Sequence, residues 1–157
     1  MYRRLNICAL ILLIALIGSP GRTLAADIAV VVNPGVTLDN LSFAELRQLL
    51  LGDRQFWSSN LRVTLLIRAP MARERDVVLK GVLQMSEAQF RQYWIGKVFR
   101  AESPSGPKTV YTNDMALGLM NNIPGSVAFM DSAQVPKDLK VLRINGLRPG
   151  ERGYPLN

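Results

Sequence analysis

The chain has 157 residues, a formal net charge of +7, one cysteine and no histidine. Its length suits one domain with one core. Without histidine, and with a lone cysteine, it excludes an intrachain disulfide, a structural zinc centre of Cys and His ligands, and a histidine-based catalytic triad.

The N-terminus comes first. Arg3 and Arg4 precede an uncharged apolar run of 11 residues, Ile7 to Ile17, and Gly18-Ser19-Pro20-Gly21 then break any helix. Thr23-Leu24-Ala25 places small residues where a signal peptidase reads. These parts in this order make residues 1–25 a secretory signal peptide, cut after Ala25 or Ala26, and make residues 26–157 a single exported, periplasmic domain. As a helix the run spans only about 17 Å, short of the roughly 30 Å of hydrocarbon that an anchor must cross. Cys8 lies near its start and reads as a small hydrophobe of the signal. Arg3, Arg4 and Arg22 are three of the 19 basic residues, so with 12 acidic residues the remainder keeps a net charge of only +4. That mild balance argues against nucleic acid as a partner.

The elements follow in chain order. Ile28 to Val32 is an unbroken apolar and β-branched run, which fits a strand buried on both faces. Asn33-Pro34-Gly35 ends it. Ser42 and Glu45 form a capping box, Leu41 and Leu46 a hydrophobic staple, and Gly52 stops the helix between them. Arg62 to Ile67 reads as the next strand. Pro70 is expected to open a helix that buries Val78, Leu79, Val82 and Leu83. Ser86 and Gln89 make a second capping box, with Met85 and Phe90 as its staple, for a helix running toward Val98. Asn113 or Asp114 caps a fourth helix with Met115, Leu119 and Met120 facing inward, and Pro124-Gly125 breaks it. Ser126 to Met130 and Lys140 to Ile144 are further strands. Alternating strands and helices predict an α/β fold, a mainly parallel sheet flanked by helices.

Four stretches resemble the periplasmic phosphate-binding-protein family, the substrate-binding subunits of phosphate ABC transporters. The capped helix with Gly52 and Trp57 resembles that family's helix-Gly-x-x-x-x-Trp segment. Strand Arg62 to Arg68 resembles the one that leads into its anion loop. Pro124 to Phe129 resembles its Pro-Gly-Ala-Ile-Gly-Tyr strand, and Val141 to Gly146 with Tyr154-Pro155-Leu156 resembles its closing strand and Tyr-Pro-Leu ending. The resemblance implies one lobe of a type II periplasmic binding protein, a binding protein without catalysis, cofactor or metal. It also implies a weakly held phosphate or similar oxyanion and a protein partner or membrane permease. Members of that family close two lobes over their anion, whereas here the signal runs almost directly into a segment like the second lobe.

Where the family reads Arg-x-x-Gly-Ser-Gly-Thr-Arg, this chain reads Arg68-Ala69-Pro70-Met71-Ala72-Arg73-Glu74-Arg75. The anion-binding residues implied are Arg68, Ala72, Arg73 and Arg75. Both flanking arginines are kept; the glycines and hydroxyls between them are not, and Glu74 adds a negative charge. Two readings stand: an oxyanion site built on arginine forks, or a solvated first helical turn with ordinary ion pairs in a domain reused for protein interaction. On the first reading, Arg75→Ala removes anion affinity and leaves folding intact. Phe56, Trp57, Tyr93 and Trp94 read either as core or as a stacking surface. Tyr111 to Asp114 reads as a helix cap or as a set of amides for an anion. No pair of carboxylates is spaced for acid/base chemistry.

Overall fold

The computed structural model describes residues 25–58 and 60–157. The signal peptide expected over residues 1–25 lies, but for its last residue, outside the described residues.

The strand expected at Ile28–Val32 (β1) is the hub of a six-stranded sheet. Its alternation sends Ile28, Val30 and Val32 into one hydrophobic cluster and Ala29 and Val31 into another, which is why every residue of the run is apolar. The other strands are Asn40–Leu41 (β2), Thr64–Arg68 (β5), Lys108–Val110 (β6), Ser126–Asp131 (β7) and Lys140–Ile144 (β8). They lie in the order β2-β8-β1-β7-β5-β6. The sheet is mostly parallel, and β1 alone runs against its neighbours β7 and β8. A separate hairpin joins Phe56–Ser58 (β3) to Leu61–Arg62 (β4).

Helices cover both faces, unequally. On one side lie Phe43–Leu50 (α1), Arg73–Asp76 (α2) with the π-helical turn Val77–Leu83 that continues it, and Glu87–Phe99 (α3). Leu46, Leu49, Leu50, Val78, Leu79, Val82, Leu83, Phe90 and Trp94 pack there. The other face receives Ala116 and Met120 of Asn113–Asn122 (α4). Both capping boxes form: Ser42 accepts from the Glu45 N–H while Glu45 accepts from the Ser42 N–H, and Ser86 and Gln89 do the same.

Three details differ from expectation. Pro70 lies in a turn, and the helix starts at Arg73 with Ala72 as its N-cap. It then widens into a π-turn that apolar spacing does not reveal, because Val78, Leu79, Val82 and Leu83 share one side in either geometry. Thr112, one residue before the expected cap, accepts the Met115 N–H and caps α4. Met115 consequently turns outward, and Ala116 takes the inner position. Trp57 and Trp94 are core, while Phe56 is exposed under Arg62.

The C-terminal Tyr-Pro-Leu closes the fold against β1. The Tyr154 hydroxyl donates to the Ile28 carbonyl at 2.8 Å, and the Ile28 N–H donates to the Leu156 carbonyl at 2.7 Å. Ile28 is opposite Asp131, so the start of β1 and the ends of β5, β6 and β7 share one edge of the sheet.

Candidate oxyanion site at the strand ends

β5 delivers Arg68 to that edge, and β6 beside it delivers Val110, its register partner. The chain leaves β5 through a tight loop in which the Val110 carbonyl accepts the Ala69 N–H and the Ala69 carbonyl accepts the Ala72 N–H. Met71 takes φ +72°. That left-handed conformation favours glycine, the residue at this place in the pattern the loop resembles. The backbone makes a glycine-type turn with methionine at that position, and the Met71 side chain stands 98% exposed.

The loop leads into α2, where each arginine meets a carboxylate. Arg68 Nε is 3.8 Å from Glu74 Oε2, Arg73 Nη1 is 3.7 Å from Asp131 Oδ2, and Arg75 Nη2 is 2.6 Å from Glu87 Oε1. Arg75 is 8% exposed. Its Nε donates to Glu87 Oε2 at 2.8 Å, its Nη1 donates to the Arg68 carbonyl at 2.9 Å, and its guanidinium lies over the Phe90 ring. Those hydrogen bonds hold the Glu87 carboxyl below its ordinary pKa, against the upward push of burial. Arg73 turns the other way and donates to the Ala26 carbonyl at 2.6 Å. Ala72 contributes backbone only.

The loop therefore brings Arg68 and Arg75 together and directs Arg73 toward the start of β1. The turn is only partly solvated: Arg75 and Glu74 are largely buried, whereas Arg73 is half-buried and Asp76, paired with Lys80, lies out in solvent. Glu87 and Asp131 are the residues sequence reasoning missed as partners. Glu87 opens the next helix, and Asp131 ends a strand more than fifty residues away in sequence.

Arg68 differs from the other two. Its Nη1 donates to Asn113 Oδ1 at 3.2 Å, but its Nε is buried and has no hydrogen-bond acceptor among the described residues. Glu74 neutralises that guanidinium from too far away to accept a hydrogen bond. Asn113 also donates to Gln134 Oε1, so α4, β5 and the segment after β7 meet at this arginine. Among the described residues no group of three Asp, Glu, Cys or His side chains is placed to hold a metal ion.

The fold that carries this loop, a mostly parallel sheet with one antiparallel strand, has counterparts among solved structures. An ABC-type phosphate transport receptor from Vibrio cholerae superimposes with a TM-score of 0.63 at 18% identity, over 79% of this chain and 48% of that one. PstS from Borrelia burgdorferi gives 0.61 at 17% identity, over 79% and 49%. A Clostridium perfringens structure with bound phosphate gives 0.62 at 10% identity, over 78% and 46%. The fold is that of one periplasmic binding-protein lobe. The chain spans about half the length of each of these structures. No family model and no curated protein matches the sequence. Among the described residues no helix is long and apolar enough to cross a membrane.

Proposed function

We propose that this protein is an exported, single-lobe relative of phosphate-binding proteins that holds a small oxyanion weakly at Arg68, as an accessory to phosphate ABC transport and without catalysing a reaction. One observation carries the reading: the buried Arg68 Nε lacks an acceptor, and an unsatisfied buried donor on a cation calls for a partner. A phosphate or sulfate oxygen supplies one with the matching charge. The phosphate named for the similar structures supports the choice of ligand. Affinity is weak because a single lobe does not enclose the anion, and because Glu74 competes for the same guanidinium.

A second reading has its own support. Arg73 and Arg75 are taken up by Asp131, Ala26 and Glu87, which favours a periplasmic interaction or sensor domain whose anion loop has become structural.

Thermal unfolding in rising phosphate separates the two. A ligand that binds only the folded state raises the unfolding temperature in proportion to its binding. The oxyanion reading requires a rise in the parent and none in Arg68→Met. An unchanged unfolding temperature in both proteins leaves only the interaction reading.

A further inference from the structure

α3 has two apolar stripes. Phe90 and Trp94 face the core, while Ile95, Val98 and Phe99 lie further round the helix and are 57%, 38% and 90% exposed. With Pro107 and Thr109 these three line a groove of about 650 Å³ that ends at the Arg75–Glu87 pair. A contiguous apolar surface of this kind marks a contact site more often than an accident of composition.

The opposite wall of the groove is β6, the last strand of the sheet. Its register with β5 fixes which backbone groups are free. The Val110 carbonyl turns toward β5 to accept the Ala69 N–H, so the N–H and C=O of Thr109 turn outward. Thr109 is opposite Ile67, whose side chain belongs to the cluster that α3 covers. The Thr109 side chain thus lies on the α3 side, and a further strand laid against β6 would send alternate side chains under Ile95, Val98 and Phe99.

Charge narrows the occupant. Arg91 lines the groove, and the one carboxylate in its lining, Glu87, is held by Arg75. Lys108, next to Thr109 in β6, stands exposed on the other face of the sheet, where the alternate side chains of an added strand would reach it. The surplus is positive. It favours an acidic segment over a second copy of this chain, which is itself net basic.

We propose that an extended acidic segment of a partner protein, apolar at alternate positions, adds to β6 as a further strand and seats its apolar side chains in this groove. This inference does not use the loop around Arg68. The test is a short capped peptide alternating leucine with glutamate, titrated into the protein while Trp94 fluorescence and amide exchange at Thr109 are followed. A saturable signal is expected, with slowed exchange at Thr109. Binding should weaken by about tenfold or more, roughly 1.4 kcal/mol, in Thr109→Pro, which removes the free donor, and in Phe99→Ser, whose side chain is too exposed to hold the fold. The same peptide with lysine for glutamate should bind correspondingly less. No saturable binding, equal binding of the lysine peptide, or binding untouched by both variants overturns the proposal. So does a concentration-dependent dimer of the protein that Phe99→Ser dissolves, since a second copy would then be the occupant.

Discussion

Arg75 and Glu87 meet side by side across two helices, Nε to Oε2 at 2.8 Å and Nη2 to Oε1 at 2.6 Å, and the remaining arm of Arg75 ties down the Arg68 carbonyl. A fork of this kind is both charge-assisted and geometrically exacting. It joins α2 to α3 and fixes the backbone from which the Arg68 side chain extends. Sequence alone suggested that Arg75→Ala would spare folding; the burial of Arg75 and its three hydrogen bonds imply the opposite. Arg75→Ala and Glu87→Gln are each expected to cost about 1–3 kcal/mol, the latter because it leaves a guanidinium under-satisfied. Urea denaturation measures both.

The same pair sets an acid limit. The pKa of Glu87 is lowered in the folded state, first by its hydrogen bonds from Arg75. Asp39 is lowered by Lys140, and Glu45 by the Ser42 backbone N–H. A carboxylate with a lowered folded pKa adds stability that is fully present above its unfolded value and is lost as pH falls through the folded one. Stability should therefore hold from neutrality down to about pH 4.5, the ordinary glutamate value, and decline below it. Glu87→Gln should make that decline shallower. A decline of equal slope in parent and variant would remove Glu87 from the account.

Met71 holds a left-handed backbone with its side chain in solvent. An L-residue pays roughly 1–2 kcal/mol for that conformation, and the exposed side chain returns no packing. Met71→Gly should raise stability by about 0.5–1 kcal/mol, the strain relieved being partly offset by the greater freedom of an unfolded glycine. A loss of stability would show that Met71 makes a contact that outweighs the strain.

Gly125 is confined from two sides. Its φ is +76°, and a Cβ there would approach the Arg62 carbonyl oxygen to 2.1 Å. Its own carbonyl accepts the Trp57 indole N–H at 2.8 Å and the Thr64 N–H at 3.1 Å. Gly125→Ala should cost more than about 2 kcal/mol and disturb the environment of Trp57, which its fluorescence reports.

These residues also show what was legible in advance. The Pro-Gly-Ser turn, the two capping boxes and the strands at β1 and β8 rest on local chemistry, so the chain announces them. β2, β3, β4 and β6 did not announce themselves, because strands of two or three residues carry too little alternation to register. The loop arginines were visible as residue types. Their partners Glu87 and Asp131 were not, since nothing local links position 73 to 131, and a first-turn glutamate already has a sufficient local explanation.

Calorimetric titration with phosphate, then sulfate, at low salt, tests the central claim most directly. It is run on the parent and on the double variant Ala72→Ser, Glu74→Thr, which removes the carboxylate beside Arg68 and restores two hydroxyls to the loop. Weak saturable one-to-one binding in the parent, strengthened by about tenfold or more in the double variant, is the expected result. No heat from either protein at millimolar ligand would contradict the oxyanion site and leave the strand-end loop a structural one.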